Sequence, residues 1–144
     1  MNPPLFVAAA LILAPLLGCS QDAPSVGTAK ADPSASHLPL DVVNARMAAY
    51  NGHDIDAFMA TYGDGIEVFT YPDQSLGKGR AHMRSIFEPM LEEGVVQVEI
   101  HHQIAKDSFV VNHETVTTGD SATEYVSIYE VRDGLIQSVC FVRD

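Results

Sequence analysis

The sequence is short of positive charge. It holds 8 Lys and Arg against 19 Asp and Glu, which gives a formal net charge of −11 at pH 7. None of these charged side chains lies in residues 1–19, so the acidity belongs to the remainder of the chain. Nucleic acids and anionic lipid surfaces are bound largely through Lys and Arg. The charge balance therefore argues against a nucleic-acid partner, and against electrostatic binding to a membrane surface.

A long hydrophobic run is also missing. The apolar stretch "PPLFVAAALILAPLLGC" ends at Cys19. It is too short to span a bilayer comfortably but has the length of a signal-peptide core. Its last residues, Leu16-Leu17-Gly18-Cys19, resemble the lipobox of bacterial lipoproteins. The resemblance implies a signal peptide over residues 1–18, cleavage before Cys19 and lipidation of the Cys19 thiol, with a membrane anchor made of acyl chains such as palmitate.

One feature departs from the lipoprotein pattern, because the first residues "MNPP" contain no Lys or Arg. The alternative interpretation is an apolar start that is not cleaved. Ser20, rather than Asp, follows Cys19, and in the enterobacterial sorting rule this favours the outer membrane. The expected location is thus the bacterial cell envelope, lipid-anchored and facing the periplasm.

Cysteine is scarce, and Cys140 is the second of only two. If Cys19 is acylated, no intrachain disulfide is possible. Residues 19–37, rich in Ser, Ala, Pro and Asp and free of aromatics, cannot bury enough apolar surface to form a core. We therefore predict a lipidated, disordered tether over 19–37 and one folded domain over 38–144.

Sequence signatures of metal and phosphate sites are lacking. His101 and His102 are strand neighbours and point to opposite faces, and no H-x-x-x-H or C-x-x-C spacing occurs. "GKGRAH" lacks the spacing of a phosphate-binding loop and leads into a predicted helix. No metal and no cofactor is expected.

The periodic part of the chain begins at Leu38. It predicts a helix in "LPLDVVNARMAAYN", a short second helix capped by Asp54, and a third helix in "RAHMRSIFEPMLEEG" interrupted or kinked at Pro89. A strand, "IEVFTYP", precedes "DQSLGKG", which is typical of a turn. Four more strands follow, with tight turns at Lys106-Asp107 and Asp133-Gly134. The pattern predicts an α+β fold with helices on one face of an antiparallel sheet.

Two segments, "AYNGHDIDAFMATYGDGIEVFTYPD" and "IYEVRDGLIQSVCFV", resemble the nuclear transport factor 2-like superfamily, in its SnoaL-like and ketosteroid-isomerase-like branch. The resemblance covers residues 38–144. It implies a cone-shaped domain in which three N-terminal helices pack in a strongly curved antiparallel sheet around an apolar pocket. It also implies a homodimer formed through the sheet. We expect outward-facing side chains to suit dimerisation or partner docking: Ile100, His102, Ile104, Phe109 and Val111.

The catalytic residues of the ketosteroid isomerases do not carry over. The position of the general base falls on Thr70. The two oxyanion-hole positions fall near Arg46 and Ser127. Because none of these has the required side chain, the resemblance does not imply steroid-isomerase chemistry. The His and Asp pair of SnoaL-like cyclases has no clear counterpart either, and Glu114 with His101 would be only a substitute.

The stretch "VVNHETV", residues 110–116, places polar groups inside a predicted buried strand. Strand periodicity puts Asn112 and Glu114 on one face and His113 on the other, and the resemblance implies that the face of Asn112 and Glu114 is the pocket face. A turn at Lys106-Asp107 would bring His101 opposite Asn112 and Glu99 opposite Glu114. In the functional interpretation, Glu114 is a general acid or base whose pKa burial and Glu99 would raise, and His101 is its proton partner. In the structural interpretation, Glu114 pairs with Arg46 or Arg84.

The function expected from these residues is the binding of a small hydrophobic molecule in a SnoaL-like pocket. The predicted pocket residues are Arg46, Tyr50, Tyr71, Phe87, Asn112, Tyr125 and Ser127. The alternatives are a cofactor-free isomerase or cyclase that uses Glu114 and His101 for proton transfer, and a non-catalytic dimeric accessory subunit. Whether Cys140 or Phe141 faces the pocket stays open, because two-residue and three-residue turns give opposite faces.

Overall fold

A computed structural model describes residues 38–143 of the chain. The predicted signal peptide, the lipidated Cys19 and the tether lie outside the described residues. The helices are α1 (Pro39–Asn51), α2 (Ile55–Ala60) and α3 (Arg80–Glu92). The strands are β1 (Tyr62–Thr70), β2 (Gln74–Lys78), β3 (Val96–Lys106), β4 (Phe109–Thr118), β5 (Ser121–Arg132) and β6 (Leu135–Val142). None of these helices is long and apolar enough to cross a membrane.

The helices begin and end at the predicted signals. Pro39 stands at the start of α1, where its missing N–H costs nothing. Asp54 caps α2 by accepting a 2.9 Å hydrogen bond from the Ala57 N–H. The third helix continues through Pro89 without interruption and is followed by Gly94, whose φ of 66° suits the left-handed conformation after a helix end.

The segment "DQSLGKG" is not only a turn, as predicted, but contains the edge strand β2. β2 pairs antiparallel with β1, and the register shifts between Val68 and Phe69. The sequence did not predict this strand because it has only five residues, some of them typical of turns, and no alternating apolar pattern. The hairpin of β1 and β2 matters for the site, because it carries Leu76 to the rim of a cavity.

The sheet has six strands in the order β2-β1-β6-β5-β4-β3. All neighbouring pairs are antiparallel except β1 and β6, which are parallel. The predicted purely antiparallel sheet is therefore wrong in this one pair. The reason is topological: β3 to β6 meander from the far edge of the curved sheet, and the last of them meets β1 in the same direction.

The turn between β3 and β4 differs from the predicted one. It consists of Asp107 and Ser108, so that Lys106 pairs with Phe109. Asp107 adopts a φ of 53°, a left-handed conformation that Asp tolerates better than most residues. The pairing therefore moves by two residues relative to a turn at Lys106-Asp107.

This shift changes which residue faces Asn112. Gln103, and not His101, is its partner on β3. The register then shifts again at a β-bulge between Ile100 and His102, which leaves His101 without a direct partner. The predicted pairing of His101 with Asn112 is wrong for both reasons.

Beyond the bulge, Ile100 pairs with Glu114 and Glu99 pairs with Thr115. The predicted approach of Glu99 to Glu114 is therefore wrong, because an offset of one residue moves a side chain to the other face of the sheet. Ile100 does not have the predicted orientation. It was expected to face outward, but it packs against the hydrophobic core.

The helices pack on one face of the sheet, which we call the inner face. It presents buried side chains at alternate positions of the central strands, among them Val110, Tyr129 and Val139. Phe58 of α2 contacts rings from three other elements, with centroids 4.9 Å from Phe87, 5.2 Å from Tyr62 and 5.8 Å from Tyr50. This aromatic group joins the helices to β1 and forms one side of the core.

α1 also covers the free edge of β3. Asn51 Nδ2 donates to the Val98 carbonyl at 2.9 Å, and the Val98 N–H donates to Asn51 Oδ1 at 2.7 Å. His53 Nε2 lies 2.9 Å from the Val96 carbonyl. The side-chain amide of Asn51 thus satisfies edge groups that could otherwise pair with another strand.

Candidate functional site

A cavity of about 270 Å³ lies between the inner face, α1, α3 and the β1–β2 hairpin. Its buried end is formed by Arg46, Glu114 and Val98. Leu76 and Ile86 are exposed and lie at its open end. The other side chains around it are Tyr50, Thr70, Phe87, Met90, Val116, Thr118, Tyr125, Phe141 and Arg143. The cavity wall is therefore mainly apolar, with Arg46 and Glu114 at the closed end and the exposed Arg143 also in the wall.

Glu114 is the centre of a buried hydrogen-bond network. It is 1% exposed, and its Oε1 accepts hydrogen bonds from Ser127 Oγ at 2.6 Å and from the Tyr129 hydroxyl at 3.3 Å. Its Oε2 accepts from Asn112 Nδ2 at 3.0 Å. Three donors on two oxygens form the environment of a carboxylate that is satisfied inside the protein.

The side-chain amide of Gln103 orients Asn112. Gln103 Nε2 donates to Asn112 Oδ1 at 2.9 Å, which leaves Asn112 Nδ2 to face Glu114. The same Gln103 nitrogen donates to Asn44 Oδ1 of α1 at 3.1 Å. The network therefore runs from the buried carboxylate to the exposed surface of α1, and it connects β5, β4 and β3 with that helix.

Arg46 lies at the closed end of the cavity and is 4% exposed. Its Nε donates to the Tyr62 hydroxyl at 2.7 Å. Its guanidinium carbon lies 5.0 Å from the ring centroid of Phe58, 5.2 Å from that of Tyr129 and 5.7 Å from that of Tyr50. The positive charge is thus held among aromatic faces, which attract a cation through the ring quadrupole.

The electrostatics of this group favour a charged Arg46 and neutral tyrosines. Burial alone lowers the pKa of Arg46, but Tyr129, Tyr62 and Glu114 outweigh it and raise that pKa overall. Burial raises the pKa of Tyr129 and of Tyr62, although Arg46 opposes the shift in both. Arg46 therefore stays positive opposite Glu114 across the cavity.

Four of the seven predicted pocket residues line the cavity: Arg46, Tyr50, Phe87 and Tyr125. Asn112 and Ser127 are fully buried behind Glu114 and hold it rather than line the cavity. Tyr71 is 63% exposed and does not line it, because it lies after the end of β1 beside Pro72. Asn112 and Ser127 thus support the site by holding Glu114, and Tyr71 is not part of the cavity wall.

His101 does not lie in the cavity. Its Nε2 is 2.8 Å from Thr115 Oγ1, and its ring centroid is 5.2 Å from that of His113. His113 in turn contacts Glu124 and stacks in parallel with His102. The histidines therefore form a cluster away from the helices, on what we call the outer face, and the predicted contact of His101 with Asn112 and Glu114 is not found.

The predicted arginine partners of Glu114 are not its ion-pair partners. Arg84 bonds to Asp56 and to Glu88 on the surface. Among residues 38–143, no ion pair includes Arg46, although its charge acts on Glu114 across the cavity. Neutral donors, and not a cation in direct contact, satisfy this carboxylate.

Several cavity residues were missed from the sequence. Val98 is paired with Val116 and follows from strand periodicity once the bulge is known. Leu76 was missed with β2. Phe141 pairs with Ser127 and lines the cavity, so Cys140 faces outward, where partial burial raises the pKa of its thiol. Arg143 has no local sequence signal, since it follows the last strand.

Residues 38–143 contain no group of three or more His, Cys, Asp or Glu side chains arranged to hold a metal ion. The Glu114 carboxylate and the Arg46 guanidinium are at the closed end of the cavity, and most of its wall is apolar. Together they can enclose a small hydrophobic molecule and present one acceptor and one donor group to its inner end.

The family follows from the matched residues. A family model for the SnoaL-like domain matches residues 43–139, and the chain belongs to this family. The resemblance inferred from the two sequence segments is thereby confirmed. No curated protein matches the chain.

Solved structures share the fold. An NTF2-like protein from Cytophaga hutchinsonii is 14% identical, with a TM-score of 0.67 over 77% of this chain and 94% of its own. A cystatin-fold protein from Novosphingobium aromaticivorans is 22% identical, with a TM-score of 0.66 over 74% and 98%. An LEH-like epoxide hydrolase from M. tuberculosis is 22% identical, with a TM-score of 0.62 over 74% and 82%. At these identities the likeness concerns the fold alone.

Proposed function

We propose that the domain binds a small hydrophobic molecule in the cavity between α1, α3 and the inner face. The observation that carries the proposal is an open cavity of about 270 Å³ whose walls are mainly apolar and whose closed end holds Arg46 and Glu114. Its size is close to the lower end of the range for small-molecule sites, about 300–1,000 Å³. A core that served stability alone would be filled by side chains at this position.

Titration with Nile red, followed by its fluorescence, tests the proposal. Phe87 lines the cavity, so Phe87→Trp fills part of the space and should weaken dye binding about ten-fold. Val126→Trp on the outer face is the matched control and should leave cavity binding unchanged. Absence of saturable binding to the wild-type domain, or equal binding by both variants, would contradict the proposal.

A second candidate is a cofactor-free isomerase or cyclase that uses Glu114 for proton transfer. One observation favours it: Glu114 is almost completely buried and yet lines the cavity, where a bound ligand would meet it. His101 is removed from this candidate, because it lies on the outer face. The fold of the chain is shared with an epoxide hydrolase, so an enzyme can be built on this framework.

The catalytic candidate is tested with Glu114→Gln and the control Glu99→Gln on the exposed outer face. Once a ligand is known, its conversion and its binding are measured separately for both variants. Loss of turnover with retained binding in Glu114→Gln supports catalysis. Loss of thermal stability without any change in turnover assigns Glu114 a structural role.

We also propose that the mature protein is a lipoprotein of the bacterial outer membrane that faces the periplasm. The support is the sequence "LLGC" with an apolar stretch before it and a Ser/Ala/Pro-rich segment after it. Labelled palmitate should be incorporated into the wild-type protein and not into Cys19→Ser, and fractionation should move that variant out of the membrane pellet. Unlabelled wild-type protein in the soluble fraction would overturn this assignment.

A homodimer is proposed through the outer face. Three of its apolar side chains are exposed: Ile104 by 67%, Phe109 by 44% and Val126 by 37%. An exposed apolar group of this kind on a sheet favours association. The accessory-subunit alternative would use the same surface for another protein.

A further inference from the structure

The charges around the cavity do not balance. Arg46 and Arg143 contribute two positive charges to its wall, and Glu114 contributes one negative charge. The net positive wall stands in a chain whose formal net charge is −11. In a partly enclosed site, a charge imbalance acts more strongly on a ligand than the same charges do in water.

Arg46 has hydrogen-bonding capacity that the protein does not use. A guanidinium has five N–H donors. Nε is bonded to Tyr62, and Nη1 contacts only the Met47 sulfur at 3.2 Å, a weak acceptor. Among residues 38–143, no acceptor is bonded to Nη2. Every fully buried side-chain nitrogen or oxygen in this part of the chain has a hydrogen-bond partner, so Nη2 is not fully buried. Nη2 therefore retains open space beside it, and Arg46 is a residue of the cavity wall.

Glu114 cannot take up this free donor in the structure. Both of its oxygens are bonded to donors on β4 and β5, and the Asn112 amide that holds Oε2 is itself fixed by Gln103. The three aromatic rings around Arg46 attract its charge but accept no conventional hydrogen bond. Nη2 is open to the cavity, so the acceptor it uses there comes from water or from a ligand.

The cavity has a buried cation, Arg46, at its closed end, apolar side chains in its wall and an exposed cation, Arg143. Phe87, Met90 and Phe141 form walls between the buried Arg46 and the rim. Arg143 is exposed and close to Tyr125, with Nη1 3.5 Å from the Tyr125 hydroxyl. An amphiphilic anion fits with its charged group inward and its apolar body along the walls, because the charge of the buried Arg46 is less screened by water than that of the exposed Arg143.

We propose that the ligand is an apolar monocarboxylate that enters head first, with its carboxylate hydrogen-bonded to Arg46 Nη2. Arg143 attracts the anion at the rim, and the hydrocarbon or aromatic body lies along Phe87 and Phe141. The carboxylate neutralises the excess positive charge of the wall and supplies the acceptor that Nη2 lacks. This inference rests on the proposed function and adds the chemical class of the ligand.

Isothermal titration with octanoate, octanol and methyl octanoate at neutral pH tests the head group on the wild-type protein. Octanoate should bind about ten-fold or more tightly than either neutral compound, since a charge-assisted hydrogen bond to a guanidinium is available to it alone. Equal binding of the three compounds overturns the monocarboxylate and leaves hydrophobic binding standing. Absence of binding for all three, and for Nile red, overturns the proposed function as well.

Variants locate the head group. Arg46→Met should abolish the preference for octanoate while octanol still binds, and Arg143→Gln should weaken octanoate binding only a few-fold. Arg84→Gln, which removes a surface cation outside the cavity, is the matched control and should change neither affinity. A preference that survives Arg46→Met and disappears in Arg143→Gln overturns head-first binding. If Arg46→Met does not fold, the melting temperature of the wild-type protein is measured with each compound instead. Bound octanoate must raise it more than octanol does, and equal shifts overturn the proposal.

Discussion

At the scale of single residues, the site depends on which atom of each amide faces which neighbour. Asn112 offers its Nδ2 to Glu114 and its Oδ1 to Gln103, and Gln103 leaves it no alternative orientation. A neutral donor at this position supports the buried carboxylate without adding charge. Asn112→Asp replaces the amide by a carboxylate of nearly the same shape and therefore tests the effect of an added charge beside Glu114.

Asn112→Asp should lower the free energy of unfolding by about 3–5 kcal/mol at neutral pH, because two buried carboxylates then face each other. Burial and Glu114 would raise the pKa of the new aspartate above its unfolded value. The loss should therefore grow as the pH rises above about 4 and shrink below it. Urea unfolding at several pH values measures it.

Asn44→Asp is the matched control for this experiment. Asn44 also accepts a hydrogen bond from Gln103, but on the exposed surface of α1. The unfolding free energy should change by less than about 0.5 kcal/mol. Equal changes in the free energy of unfolding for the two substitutions would show that the Asn112–Glu114 contact matters no more for stability than the exposed Asn44–Gln103 contact.

At the scale of elements, the β3–β4 hairpin decides what faces the cavity. Its turn at Asp107-Ser108 and its bulge at His101 together set the positions opposite Asn112 and Glu114. The edge of β3 is then held by Asn51, which acts like a short piece of a neighbouring strand. The position of α1, which carries Arg46, is thus tied directly to the strand that closes the cavity.

Asn51→Ala should cost about 1–3 kcal/mol of unfolding free energy, since it leaves the Val98 N–H and carbonyl without their partner. Hydrogen exchange should show faster exchange of the Val98 amide, while amides in the central strand β5 stay protected. Asn44→Ala on the same helix is the control and should leave Val98 protected. Unchanged exchange at Val98 in Asn51→Ala would contradict the role given to this side chain.

At the scale of the whole molecule, the acidic protein contains a buried group of tyrosines around one arginine. Burial is the main cause that raises the pKa of Tyr50, Tyr62 and Tyr129. The folded state therefore holds their protons at pH values where the unfolded chain releases them. The free energy of unfolding keeps its full value below the tyrosine pKa of the unfolded chain, and it must fall as the pH rises above that pKa.

The denaturant midpoint should accordingly decrease between about pH 9 and pH 11, around the ordinary tyrosine pKa of about 10. Phenolate absorbance should report fewer ionised tyrosines in the folded protein than in the unfolded one at the same pH. Tyr62→Phe removes one of these groups and should make the decrease shallower. A midpoint that stays constant over this range would contradict the buried, neutral state of the tyrosines.

The proposed homodimer is a second prediction at the scale of the whole molecule. If the outer face forms a homodimer, Val126→Glu should convert the protein of residues 38–144 from a dimer to a monomer, as measured by light scattering. Val95→Glu is the control, since Val95 is a similarly exposed valine that precedes β3. A monomeric wild-type domain would remove the dimer, and monomers formed by both variants would point to charge repulsion in general.

Much of the architecture is written in local patterns. Helix α2 after Asp54 and the hairpin turn at Asp133-Gly134, where both residues have positive φ, follow from capping and turn chemistry. Strand periodicity separated Glu114 and Asn112 from His113, and the resemblance to the family assigned the first two to the helix-bearing face. The features of β2 were hidden by its turn-forming residues, and the parallel pairing of β1 with β6 has no local signal at all.

The sequence by itself determined the fold class, the two faces of β4 and the burial of Glu114, because these depend on neighbours within a few residues. Only the tertiary structure decided that Gln103 and not His101 meets Asn112, since a bulge and a turn of two residues are chosen by packing across the sheet. It also decided that Arg46 of α1 and Arg143 after β6 share a cavity with Glu114. Those residues are far apart along the chain, and only the packing of α1 on the sheet brings their charges together.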